Sequence, residues 1–426
     1  MAISILFFVF LGLLFLGVPV AFALASASFL TVLYLGLPPE VFVIETVAGT
    51  DSSTLLAIPL FIFAGQLMMS GGISAKLISF ASSIVGHIRG GLGQVNVLSC
   101  LFFGGVSGSA LADVSAVGGA MIPQMVKRGY DRDYAVNVTV ASALVALLVP
   151  PSHNLILYSA SAGGSISIAD LFAAGIIPAL MLMVAVMLTA YIVARKRGYE
   201  TAKFPGFSEL AIRFIAALPG LLLIFVIFGG IRAGIFTAVE SASVAVLYAL
   251  GVTALLYRDL PWKEFLGACM RAARMSGIIL FIISSAATFG WIMAYLEVPT
   301  MTVEAISALT DSPIGILILI NIALLILGTF MDMAPLIIIC TPIFLPIAKA
   351  FGIEPVHFGI IMVLNAGIGL ITPPVGSVLF VGAAIGKISI AETIKTLWPF
   401  YLAGLSVLIL VSYVPIISLW LPSLLK

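Results

Sequence analysis

GLITPPVGSVLF, residues 369–380, sets two adjacent prolines, Pro373 and Pro374, in the middle of an apolar run long enough to cross a membrane. A proline removes a backbone donor and stops the i to i−4 ladder, so carbonyl oxygens are left without partners. Lipid offers no water in exchange, and such a break is tolerated only where it faces protein or a polar cavity. About half a chain earlier, ALLVPPSHNLIL, residues 146–157, breaks in the same way at Pro150 and Pro151. Two matched breaks imply a fold built around two interrupted helices.

Composition agrees on the medium. The chain is 62% hydrophobic and 9% charged, with a mean hydropathy of +1.26, more apolar surface than one soluble core can bury. Apolar runs of the ~20 residues needed to span a bilayer recur along its length and leave no soluble domain over. The first run starts at Met1 without a basic leader or a small-residue cleavage site, so it reads as a retained helix. Cys100, Cys269 and Cys340 lie singly in apolar surroundings, as small buried residues do, rather than as a disulfide or metal framework. A net charge of +1 selects no partner, and no nucleic-acid partner is expected. No P-loop, H-E-x-x-H or dinucleotide fingerprint occurs, so no organic cofactor is expected either.

The two halves repeat. ISIAD at 166–170 returns as ISIAE at 388–392, Gly104 falls on Gly328, Pro39 on Pro261, and ASAS with VLY on ESAS with VLY. This predicts an all-α polytopic membrane protein of two repeats, residues 1–198 and 214–426, joined by a cytoplasmic linker at 199–213. Each half reads as two helices split by a tight break, an amphipathic arm, a third span, a polar loop, a glycine- and proline-rich segment, a proline-broken span and a final span. That is about five crossings per half, and an odd number turns the second half upside down. Charge placement supports the inversion: with Arg195, Lys196 and Arg197 inside, nearly every Lys and Arg falls inside, and Arg232, Lys349 and Lys426 outside. Both termini are then periplasmic.

The glycine- and proline-rich segments, 92–126 and 315–348, are predicted to be re-entrant hairpins, and the broken spans to cover 132–163 and 357–386. Each hairpin tip should approach the break of its own half. Unwound carbonyls suit hard cations and half-helix N-termini suit anions, which predicts two pseudo-symmetric sodium sites with an anion site between them. The first site takes Gly105, Ser107 and Gly108 with Val149, Pro151 and Ser152; the second takes Gly328, Thr329 and Asp332 with Gly369, Thr372 and Pro373. The competing reading of these small residues is close helix packing in lipid.

Asp113, Asp332 and Glu240 stand within apolar stretches, where a carboxylate is costly and therefore a functional candidate. For Glu240 and Asp113 the structural alternative, a bond to backbone or a pair, carries more weight, whereas Asp332 at a hairpin tip reads as functional. His153 suits a polar cavity wall, and His87 and His357 read as interfacial loop residues. Gly105-Val106-Ser107-Gly108 matches a four-residue intramembrane-protease signature, but such an enzyme has no use for an inverted repeat or a second proline break.

IPLFIFAGQLMMSGGI (58–73), FFGGVSGSALAD (102–113), GIFTAVESA (234–242), GTFMDMAP (328–335) and NAGIGLITPPVG (365–376) together resemble the large membrane subunit of tripartite ATP-independent periplasmic (TRAP) transporters, over essentially the whole chain. The resemblance implies an elevator-type, sodium-driven importer of organic acids in the bacterial inner membrane, with a separate small four-helix subunit and a periplasmic substrate-binding protein. It places substrate near Ser109, Ser152 and Asp332, and the overall look is closest to sialic-acid members. FTAVESA departs from the family's proline-containing FTPTEA, which weakens any role carried over to Glu240. A stand-alone sodium/dicarboxylate or citrate carrier is the rival transport reading.

Overall fold

Glycine, proline and capping residues set where each helix of this chain starts and stops. The structure, a computed structural model, describes residues 1–307, 312–373 and 376–425; the side chains of residues 106–107 and 305–307 lie outside that description. All regular elements among the described residues are helical. The first half runs α1 (Ala2–Phe15), α2 (Val20–Tyr34), a short arm α3 (Glu40–Ala48), α4 (Ala57–Ser70), α5 (Ile73–Val85) and α6 (Gly91–Ser107). Then α7 (Ala110–Asp113) passes through a wide π turn into α8 (Gly119–Lys127), and α9 (Arg132–Ala143), α10 (His153–Ser161) and α11 (Ile168–Lys196) follow. The second half runs α12 (Phe207–Arg232), α13 (Ala238–Leu250), α14 (Trp262–Tyr295), α15 (Val298–Ser307), α16 (Pro313–Phe330), α17 (Met333–Ala350), α18 (Pro355–Gly369), α19 (Ser377–Gly386), α20 (Ile390–Tyr413) and α21 (Ile416–Leu424). Among the described residues, 8 helices are long and apolar enough to cross a membrane.

The ISIAD and ISIAE motifs explain how the last long helix of each half begins. Ser389 accepts the Glu392 amide while the Glu392 carboxylate takes the Ser389 N–H at 3.1 Å, a reciprocal capping box that starts α20. Ser167 caps α11 likewise at 3.2 Å, but the shorter Asp170 carboxylate pairs with Arg232 of α12 at 2.8 Å instead.

Packing sorts the helices into two groups, each drawn from both halves. In one, α4 packs on α13 and α14, α2 on α1 and α14, and α5 on α12. In the other, α9 packs on α6, α19 and α20, α11 on α20 and α21, and α18 on α16 and α17. The groups meet where α4 faces α6 and α10, where α5 faces α6, and where α14 and α15 face α17.

Three readings of the sequence need correction. The expected polar loop after the third span contains a helix, α5, whose Ile73, Leu77, Phe80, Ala81 and Val85 are buried; the apolar i, i+4, i+7 spacing outweighs the interspersed serines. The arm and third span, separate in the first half, are one continuous helix of 34 residues in the second, α14. The first half breaks at Gly49, which packs directly against Ala287 of α14, so the chain turns where the two helices touch. His357 is no loop residue. It is 2% exposed in α18, and its Nδ1 lies 2.6 Å from the Ser418 hydroxyl.

Candidate cation and substrate site

The first hairpin turns at Gly108, where α6 ends with φ +56, a left-handed conformation that glycine adopts without penalty. A Cβ there would meet His153 Nδ1 at 2.9 Å and the Pro151 carbonyl oxygen at 3.3 Å, so the tip lies directly on the break. Asn154 fixes this contact by donating from Nδ2 to the Gly108 carbonyl at 2.8 Å. Gly105, in the last turn of α6, faces the Pro150 carbonyl oxygen, 2.9 Å from where its Cβ would stand. Ser109 caps α7, accepting the Ala112 N–H at 3.4 Å. Val149, Pro150, Pro151 and Ser152 are all buried, and the Ser152 hydroxyl donates to the Leu147 carbonyl at 2.5 Å. Gly105, Gly108 and Ser109 are thus brought to the Pro151–Ser152 break; the Ser107 side chain is outside the described residues.

The second tip is closer still. A Cβ on Gly369 would stand 2.7 Å from the Gly328 Cα and 3.0 Å from its carbonyl oxygen, so α16 and α18 cross backbone against backbone. Asp332 caps α17, accepting the Met333 N–H at 2.9 Å, and also takes the Ser377 hydroxyl from the start of α19 at 3.4 Å. Thr372 donates its hydroxyl to the Ile368 carbonyl at 2.7 Å, with the Tyr401 hydroxyl at 3.3 Å. Thr329 is turned back onto the Ile326 carbonyl at 2.7 Å and is half-buried. Pro373 is half-buried, while Pro374 is outside the described residues.

Several polar contacts between the hairpins and the broken helices were not expected from the sequence. In each half a buried amide ties the hairpin to the broken helix: Asn96 of α6 donates to the Thr139 hydroxyl of α9 at 2.5 Å, and Asn365 of α18 donates to Asn321 Oδ1 of α16 at 2.7 Å. Asn365 Oδ1, one turn before Gly369, is buried without a hydrogen-bond partner among the described residues. The available signal was an asparagine inside an apolar run, which requires a partner. The donor set here, neutral carbonyls, amide oxygens and hydroxyls with one carboxylate, consists of the hard oxygens that suit an alkali cation.

The remaining carboxylates sort differently. Glu240 is exposed at the start of α13, where it takes the Thr237 N–H at 2.8 Å and hydroxyl at 2.9 Å in a capping box. Asp113 is fully buried at the end of α7. At the far end of the broken helix, Arg197 bonds Asp133 at 2.6 Å and Asp131 at 2.9 Å, and its hydrogen bonds to Asp133 raise the guanidinium pKa above its ordinary value.

Ser109 and His153 also line a narrow cavity shared with Ile62, Gly65, Gln66 and Met69 of α4 and Met275 of α14. The first tip therefore sits at the boundary between the two packing groups.

Comparison with known proteins gives this geometry a setting. The family model described as tripartite ATP-independent periplasmic transporter, DctM component, matches residues 7–417. YgiK of Salmonella typhimurium, described as an uncharacterized protein, is 42% identical over 99% of this chain and 97% of its own. The sialic acid TRAP transporter large permease SiaM of Vibrio cholerae is 37% identical over 98% and 97%. The C4-dicarboxylate TRAP transporter large permease DctM of Rhodobacter capsulatus is 36% identical over 100% of both chains. Among solved structures, the YdaH transporter of Alcanivorax borkumensis superposes with a TM-score of 0.61 at 15% identity, covering 87% of this chain and 86% of that one, a likeness of fold alone.

Proposed function

Because the chain belongs to the DctM component family of tripartite ATP-independent periplasmic transporters, we propose that it is the large permease of a sodium-coupled importer that takes an organic acid from a periplasmic binding protein. The observation that carries the reading is the pairing of each hairpin tip with the break of its own half, Gly108 on Pro151 and Gly328 on Gly369. The interrupted helices supply cation ligands from main-chain oxygens without the cost of burying several carboxylates. Sodium at Gly105, Gly108, Val149, Pro151 and Ser152, and at Gly328, Thr329, Asp332, Gly369, Thr372 and Pro373, then orders the tips before substrate binds. Two ions entering with one monoanion carry net positive charge, and each charge moving through 100 mV contributes about 2.3 kcal/mol.

Asp332 repels a carboxylate, so its role is to accept hydroxyls of the substrate, while Ser109, Ser152 and the half-helix N-termini meet the acid. Hydroxyl-rich bonding favours a sugar acid. The relative named for sialic acid is 37% identical and relatives named for C4-dicarboxylates are 35%, 36% and 39% identical, so overall similarity does not choose between them. The packing groups, each built from both halves, support an elevator in which the tip-bearing group slides against the other. The setting proposed is the bacterial inner membrane, with both termini periplasmic and a small four-helix subunit beside the chain. DctM and SiaM are named as transporter permeases, and no catalysed reaction is proposed.

The test is uptake into proteoliposomes holding this chain and the four-helix subunit, with the binding protein outside. Uptake is expected only with inward sodium and with all three proteins. Uptake driven by a proton gradient alone sinks the sodium reading; uptake without the binding protein favours a stand-alone carrier.

A further inference from the structure

The cavity under the first tip continues into a larger cleft. It holds only about 10 Å³, room for roughly one water, and four of its lining residues are Gln66, Met69, Ala112 and Met275. The same four residues line a neighbouring cleft of about 810 Å³, whose walls also carry Ser70, Glu264, Arg271 and Arg274. Arg271 donates to Gln66 Oε1 at 2.9 Å and to the Ser70 hydroxyl at 2.8 Å, which holds it over the cleft with neutral partners. Its ion pair with Glu264 is long, 3.9 Å, between side chains each about half exposed, and offsets little of its charge. Arg274, one turn further along α14 and exposed, has no hydrogen-bond or ion-pair partner among the described residues. The cleft thus holds two guanidiniums against one carboxylate and narrows onto the tip between two methionines.

We infer that this cleft is the vestibule between the tip site and the water at the Trp262 end of α14, with Arg271 and Arg274 as a staging point for the carboxylate of the transported acid and Met69 and Met275 as the gate. The inference rests on the importer reading. Guanidinium forks match carboxylates in two-point contact, and a cleft lined by one sign of charge raises the local concentration of the opposite ion. Methionine, unbranched with three rotatable bonds, swings aside without moving backbone. A lipid headgroup phosphate shares the same chemistry, and the test separates the two sources.

The experiment measures thiol labelling of Met275→Cys, with Met69→Cys as second reporter, in a Cys269→Ser background, the other two cysteines being buried. The probes are anionic sulfonatoethyl and cationic trimethylammonioethyl methanethiosulfonate, on protein in phosphatidylcholine nanodiscs. The anionic reagent is expected to be preferred about tenfold relative to its ratio on free cysteine. That preference should vanish in Arg271→Gln/Arg274→Gln and persist in the doubly lysine-substituted protein, which separates charge from folding. A preference unchanged by the glutamine pair, or no labelling of either reporter, overturns the proposal; so does its loss on adding phosphatidylglycerol, which would assign the arginines to lipid. Labelling requires no transported substrate, so failed sodium-driven uptake with the charge preference intact counts against the importer reading and not against the vestibule.

Discussion

Gly369 has no space for a methyl group, since its Cβ would stand 2.9 Å from the Gly328 carbonyl carbon. Gly369→Ala is expected to force α16 and α18 apart at a cost of about 1–3 kcal/mol, read as a lower thermal unfolding midpoint of the purified protein, with a weaker stabilising effect of sodium. At the other tip, Asn154→Ala removes the buried donor to the Gly108 carbonyl and should cost about 1–3 kcal/mol; an unchanged midpoint would mean that the tip is held by other contacts. Glycines and prolines of both tips were legible because a break in an apolar run has few physical excuses. Asn154, Ser377 and Tyr401 were not, because a sequence does not say which neighbour a helix face meets. Glu240 shows the converse: the structural reading of this acid, a bond to backbone, is what the capping box with Thr237 three residues earlier provides, although the sequence did not name that partner.

The element scale explains the repeat that first paired the halves. ISIAD and ISIAE recur because a long helix starting next to a turn needs its first amides satisfied, and Ser three residues before an acid does so. Ser167→Ala should destabilise by about 1 kcal/mol, whereas Asp170→Asn should act by releasing Arg232, so the two effects on unfolding in a mild detergent should add if cap and ion pair are independent. Helix α5 was hidden because its serines, Ser74, Ser79, Ser82 and Ser83, pull the composition toward loop while the apolar face keeps helical spacing. The fusion of arm and span into α14 was equally hidden, since weak similarity between halves carries no information on whether a glycine present in one is replaced in the other.

At the scale of the whole molecule, the packing groups were not legible at all. Helices far apart in sequence, α4 with α13 and α2 with α14, are neighbours, and periodicity records only that a face is apolar. If cations bind at the contacts between tips and breaks, they stabilise the folded chain by mass action. Sodium chloride at one hundred times its dissociation constant should then add about 2.7 kcal/mol, and choline chloride at equal ionic strength should add none; equal effects of the two salts would locate the action at the surface.

The unbroken α14 gives the second half a stiffness that the first half lacks. Its 34 residues make a lever of about 51 Å, longer than the ~30 Å of bilayer hydrocarbon, while its counterpart bends between Ala48 and Ala57. Spin labels at Lys263 and Tyr295 should therefore report one sharp separation in every condition, and labels at Val43 and Ser70 a broad one that shifts with ligand. The halves thus differ in where they flex, and the elbow belongs to the first.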